Sequence, residues 1–203
     1  MTRPEGRNEG LAGRLRELGH EVVVRPLVEI EPIETGPIEL AGYDWLILTS
    51  ATGARELKRR ATGRARKVAA IGQATAEAWG DVDLVPQVST QEGLLAELSR
   101  PAGRVLFAGA EGARRLLADE LGADFVALYR TNPVHPAEPV QGDLVVLASP
   151  STARSLAELT VLIPVVTIGP ETTAAAAAAG LRLAAEAETP DLDGLVSAVA
   201  EAG

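Results

Sequence analysis

The chain has no cysteine, two histidines and one methionine, and Phe, Trp and Tyr together make up 3% of its 203 residues. Without cysteine there are no disulfides, no thiolate nucleophile, no iron–sulfur ligation and no Cys-ligated zinc. His20 and His135 are the only imidazoles and fit no HExxH-type spacing. No metal site is therefore expected. With so few aromatic rings, the cores must be built from Leu, Val, Ile and Ala, and no stacking platform for bases is available. No apolar run approaches the roughly 20 residues a spanning helix needs, and the opening Met1–Gly6 lacks a signal-peptide pattern. The expectation is a cytoplasmic protein that binds neither membrane nor nucleic acid, since the net charge of −9 also disfavours nucleic acid.

Several sequence motifs are missing as well. Gly109-Ala-Glu-Gly112 follows an apolar run, but it is not the GxGxxG dinucleotide pattern, and no GxxxxGK[ST] or GxSxG occurs. No histidine lies near a serine and an acid in a triad-like arrangement. Nucleotide-dependent and hydrolytic chemistry lose their support.

What is present is alternation. Val22–Val24, Trp45–Leu48, Val68–Ile71, Val105–Ala108, Phe125–Leu128, Leu144–Ala148 and Val165–Ile168 read as buried parallel strands. Helix-like stretches such as Gly10–Leu18, Thr75–Trp79, Gly112–Leu121 and Thr172–Ala179 separate them, giving an α/β pattern. A duplication about 100 residues apart overlies this alternation. Asp44–Ser50 returns as Asp143–Ser149, Ala70–Thr75 as Thr167–Thr172, Glu17–Gly19 as Glu120–Gly122, and Gly93-Leu-Leu as Gly194-Leu-Val. Four blocks in one order at a near-constant offset imply two similar doubly wound parallel-sheet domains. Paired domains of this kind are expected to hold a ligand in a cleft.

Each repeat ends two strands in small hydroxyl-rich turns. Thr49-Ser50-Ala51-Thr52 and Ser149-Pro150-Ser151-Thr152 follow one pair; Gly72–Thr75 and Gly169–Thr172 follow the other. Turns at the carboxyl ends of parallel strands, leading into helix N-termini, suit carboxylates or phosphates. The alternative is that Ser50, Ser149, Thr75 and Thr172 cap their helices. Seven of the 19 basic residues lie between Arg55 and Lys67. They are either a solvated face or a positive rim for a polyanion.

These blocks resemble the uroporphyrinogen-III synthase family. The similarity rests on Thr2-Arg3-Pro4, Leu18-Gly19 ahead of a strand and Arg25-Pro26, the strand ending in Thr49-Ser50, and Ile71–Ala76. It continues through Ser89–Leu95, Val126–Thr131, Ala148–Ser151 and Ile168–Thr172. The resemblance implies a cofactor-free lyase, a monomer, that cyclises hydroxymethylbilane with inversion of ring D and loss of water to give uroporphyrinogen III. It implies one discontinuous domain from residues 1–27 and 137–203, a second from 34–128, and linkers at 28–33 and 129–136 forming a two-stranded ladder. By the same resemblance Tyr129 is the candidate to assist hydroxyl departure, and its alternative is a linker tyrosine packing on Pro26 or Pro133. Arg3, Ser50, Thr52, Gly72, Thr75, Ser149, Ser151, Gly169 and Thr172 are the implied substrate-binding residues. Family members usually carry an apolar strand ahead of Thr-Arg-Pro, whereas Met1 stands there here: either the given start is late or the leading strand is lost, and in the second case the sheet has an unfilled position. The competing reading of the same features is a noncatalytic two-lobed binding protein for a small polycarboxylate.

Overall fold

The computed structural model describes all residues except Glu5, Arg7 and Thr35. In chain order the elements are α1 (Glu9–Glu17), β1 (Val28–Pro32), β2 (Ile38–Glu39), β3 (Trp45–Leu48), α2 (Ala51–Lys58), β4 (Ala61–Thr62), β5 (Lys67–Ala70), α3 (Gln73–Trp79) and α4 (Gln91–Glu97). Then follow β6 (Val105–Ala110), α5 (Leu116–Leu121), β7 (Asp124–Pro133), β8 (Val145–Leu147), α6 (Pro150–Glu158), β9 (Val165–Thr167), α7 (Pro170–Ala178), β10 (Leu183–Glu186) and α8 (Leu192–Ala202). The chain divides into two compact units. One holds Met1–Ile30 with Asn132–Gly203, the other Glu31–Thr131.

In the unit of residues 31–131, β7, β6, β3 and β5 form a parallel sheet in that order. All four residues of β3 are buried, as a central strand covered on both faces requires. Trp45, Ile47, Phe107, Leu94 and Leu117 make the core on one face, with Phe107 and Phe125 edge to face at 5.2 Å. Phe125–Leu128 and the extended stretch after it, two segments by sequence, are one continuous strand here, β7. Its register against β6 slips between Gly109 and Ala110, so that Ala110 faces Tyr129 rather than Leu128. That bulge sets which way the Tyr129 side chain leaves the strand.

In the other unit, β10, β9 and β8 form a three-stranded parallel sheet. Leu11, Leu15, Val146, Val166, Leu195 and Val199 pack on one face of it; Leu27, Leu147, Leu156 and Val165 pack on the other. Val22–Val24, expected as a strand, is not one. Among the described residues it meets Met1, whose amine donates to Val23 O (2.7 Å) and whose carbonyl accepts from Arg25 N–H (2.8 Å). Between this run and the β8 edge lies a groove of about 400 Å³, lined by Met1, Leu15, Val22, Leu144, Val146 and Val199 among others. Thr2, almost fully buried, spans the far end by donating its hydroxyl to Val146 O (2.8 Å).

The chain passes between the units through β1 and β7. Ile33 N–H donates to Leu128 O (2.9 Å) and Val134 N–H to Leu27 O (2.8 Å), so the two segments run antiparallel.

The duplication is carried by local physics. Ser50 and Ser149, each ending its strand, accept a hydrogen bond on Oγ from the residue three further on, Gly53 or Thr152. Thr90 and Asp191 do the same for Gly93 and Gly194. Such caps satisfy N–H groups that the first helical turn leaves orphaned. Gly72 and Gly169 start α3 and α7 with no side chain to cap them.

Candidate active site

In the unit of residues 31–131 the turn after β3 brings Ser50 to Tyr129. Ser50 Oγ lies 2.9 Å from Tyr129 Oη and accepts from Gly53 N–H at 2.9 Å. Tyr129 is buried, at 7% exposure, so its ring is held by packing. Its backbone is held too. Tyr129 O accepts from Glu111 N–H (2.9 Å), and the preceding carbonyl, Leu128 O, accepts from Ile33 N–H (2.9 Å) and from Arg60 Nη2 (3.2 Å). The phenol oxygen meets a serine hydroxyl here.

Arg60 was legible only as one of a basic cluster. Its guanidinium bonds the Leu128 and Ile33 carbonyls, which ties β7 and the end of β1 to α2. Lys58 donates to Trp79 O (2.7 Å), Arg59 pairs with Glu56, Arg66 with Asp44 (3.3 Å), and Lys67 lies over the Trp45 ring (5.2 Å). Five of the seven cluster residues thus serve the fold, which supports the solvated-face reading.

The other turns divide by chemistry. Ser50 and Ser149 cap their helices, as the alternative reading held. Thr75 and Thr172 sit three residues past Gly72 and Gly169, buried in the first turn, and donate backbone N–H to those glycine carbonyls (3.0 Å each). They are not N-caps. Gly72 lies against Ser89: a Cβ there would come within 3.0 Å of Ser89 Oγ. Ser89, quoted from sequence only as part of a resemblance, is therefore a neighbour of the glycine turn. Thr52, buried, is in the first turn of α2. In the unit of residues 1–30 and 132–203, Ser149 Oγ meets Ser151 Oγ (2.9 Å) and Thr152 Oγ1 (3.3 Å) in a hydroxyl cluster with no tyrosine. Arg3 lies partly buried before α1, its carbonyl accepting from Asn8 Nδ2 (3.0 Å).

The second tyrosine, Tyr43, is at the opposite end of β3. Its hydroxyl donates to Asp124 (2.8 Å) and Arg104 covers its ring at 4.3 Å. Burial, then the Asp124 hydrogen bond, pushes its phenol above the usual tyrosine range. The Met1 amine is lowered to about 6, first by desolvation and then by Arg25. Among the described residues no group of three His, Asp or Glu side chains could hold a metal ion, and no helix is long and apolar enough to cross a membrane.

Two α/β units, each with a serine-capped and a glycine-started turn at the carboxyl ends of its parallel strands, make this a duplicated α/β protein. Residues 9–197 match the family model described as uroporphyrinogen-III synthase HemD. The chain belongs to the uroporphyrinogen-III synthase family. It is 25% identical to a uroporphyrinogen-III synthase of Synechococcus elongatus, over 98% of this chain and 92% of that one. A Methanocaldococcus jannaschii relative is 29% identical over 145 residues, and the match spans 64% of this chain and 60% of that relative's length. Among solved structures, uroporphyrinogen-III synthetase of Helicobacter pylori superposes with a TM-score of 0.63 at 14% identity, covering 90% of this chain and 95% of that one. A mutant uroporphyrinogen III synthase of Thermus thermophilus gives 0.62 at 17% identity, covering 97% and 94%. At these identities the two structures bear on the fold.

Proposed function

We propose that this chain is a uroporphyrinogen-III synthase, a lyase that cyclises hydroxymethylbilane with inversion of ring D and loss of water. It acts as a cytoplasmic monomer without a cofactor. The observation that carries the reading is Tyr129: a buried phenol at the carboxyl ends of the parallel strands, fixed by a serine cap, in a chain that belongs to this family.

The chemistry asks little of a side chain. The C–O bond of the ring A hydroxymethyl breaks and the oxygen leaves as water, which needs one proton; Tyr129 Oη is the donor. Ring D then attacks the resulting azafulvene through its substituted α-carbon, and the spiro intermediate fragments and recloses with ring D turned over. A proton is released as the last pyrrole regains aromaticity, and the phenolate accepts one back. A general acid of this kind contributes about 10²–10⁴-fold. Fixing the geometry of an intramolecular closure contributes more, roughly 7–11 kcal/mol.

The substrate's eight carboxylates supply the handle for that geometry. The backbone N–H groups behind Gly72 and Gly169, with no side-chain cap on either, receive carboxylates. Thr75 and Thr172 shape those first turns, and Ser149, Ser151, Thr52 and Arg3 complete the binding set. Incubation with hydroxymethylbilane tests the function: isomer III as product supports it, while isomer I alone, the spontaneous product, leaves the polycarboxylate-binding alternative.

A further inference from the structure

We infer that Arg55 and Arg154 are an equivalent pair of carboxylate-binding side chains, one in each unit, that take acidic groups of the substrate at the serine-capped turns. The inference deepens the proposed function and rests on that reading for the identity of the ligand.

Arg55 is the fifth residue of α2 and Arg154 the fifth of α6. The same offset separates them as separates the two caps, Ser50 and Ser149, so the duplication carries the charge along with the turn. Both helices leave the carboxyl ends of parallel strands, β3 and β8. Side chains on a helix lean toward its N-terminus, and one turn rises about 5.4 Å. An arginine one turn in therefore covers the first turn and reaches level with its capped end. That turn holds Ala51 and Thr52 in one unit and Pro150 and Ser151 in the other, none of them charged.

Both arginines are exposed, and among the described residues neither guanidinium has a hydrogen bond, ion pair or ring contact. The nearby acids are absent or engaged. Neither first turn contains one. Glu56 pairs with Arg59, and Glu158, one turn beyond Arg154, lies 3.9 Å from His135. Arg64, Arg100 and Arg182, likewise exposed, stand in turns that lead into β5, β6 and β10, at the amino ends of those strands. A guanidinium presents a planar fork of donors that meets a carboxylate with two parallel hydrogen bonds. Each fork thus adds a charged contact to the amides and hydroxyls of its turn.

Anaerobic binding titrations with uroporphyrinogen III as the probe, over a range of NaCl concentrations, test this on the full chain. Arg55→Gln and Arg154→Gln are each expected to weaken binding about 3- to 20-fold, between an exposed ion pair and a charge-assisted bond. Each should also make the affinity less sensitive to salt. Lysine at either position keeps the charge without the fork and should recover part of the loss. Arg64→Gln, which removes the same charge in the turn before β5, should bind as wild type does. With hydroxymethylbilane, the Arg55 and Arg154 variants should raise KM and still give isomer III. Wild-type affinity in either of these variants, an equal loss in Arg64→Gln, or a wild type that does not bind the probe would overturn the assignment. A wild type that binds the probe but forms no isomer III would sink the proposed function instead, and the titrations would still decide the role of the arginines.

Discussion

Gly93 and Gly194 hold the same place in their two units: a Cβ on either would lie 2.1 Å from a backbone carbonyl oxygen, Val88 O for the first and Thr189 O for the second. Each glycine donates its N–H to the cap residue three before it, Thr90 or Asp191. Each cap residue in turn donates its own N–H to that same carbonyl, at 2.7 and 2.8 Å. Two helices about 100 residues apart therefore start by one mechanism. Substituting alanine at either glycine should cost about 1–3 kcal/mol, because the carbonyl it strikes belongs to the backbone and is hydrogen-bonded. Urea unfolding of Gly93→Ala and Gly194→Ala checks this, and midpoints equal to wild type would refute the shared motif.

Those glycines also show why the fold was readable in sequence. A turn that only glycine fits leaves a mark at a fixed offset, as do Ser50 and Ser149 at the ends of apolar runs, so the α/β class and the repeat emerge together. Features that depend on partners far along the chain did not emerge. Val22–Val24 has strand composition, but a strand also needs a laddered neighbour, and among the described residues its backbone meets Met1 without forming one. The helix expected from Gly112 begins at Leu116, because a turn after β6 places Ala113 N–H on Ala110 O first. In the candidate site, the serine turns were visible as a motif. The Ser50–Tyr129 bond joins residues 79 apart and depends on a bulge that leaves no sequence signal. Arg60 was hidden for the opposite reason: its neighbours are also basic, and composition alone did not single it out.

Stability should depend on pH through the Met1 amine. Its pKa in the fold is about 6, below the ordinary 8, so between those values the unfolded chain carries a proton that the folded one has shed. Protons bound by the unfolded state make stability rise with pH. The fold should therefore gain stability from pH 6 to pH 8 and lose it on acidification through 6. Urea midpoints at pH 6, 7 and 8 test this, with the Nα-acetylated chain as the control that should lose this component. An identical pH profile for the acetylated chain would count against it.

Polycarboxylates should bind despite the net charge of −9, because the donors are backbone amides and hydroxyls rather than a basic surface. Ligand at about 100 times its Kd should stabilise the protein by roughly 2.7 kcal/mol. Uroporphyrinogen, or a stable analogue, should raise the thermal midpoint accordingly. No shift at saturating ligand would remove the binding assignment.

Disturbing a glycine-started turn should harm catalysis more than trimming a hydroxyl from it. Thr75→Ala and Thr172→Ala should each lower the rate while keeping isomer III as product. One residue inserted between Gly169 and Thr172 shifts several amides at once and should raise the share of isomer I. Equal isomer ratios in the insertion variant and wild type would contradict a role for that turn in geometry.

The central claim is that geometry, assisted by one phenol, does the catalytic work. Its most direct test is the rate and isomer composition from hydroxymethylbilane for Tyr129→Phe beside wild type, with the fold of the variant verified by circular dichroism. The account predicts a slower reaction, within the 10²–10⁴-fold range of a general acid, whose enzymatic product is still isomer III. A folded Tyr129→Phe chain that yields isomer I alone, or one that turns over at the wild-type rate, would contradict it.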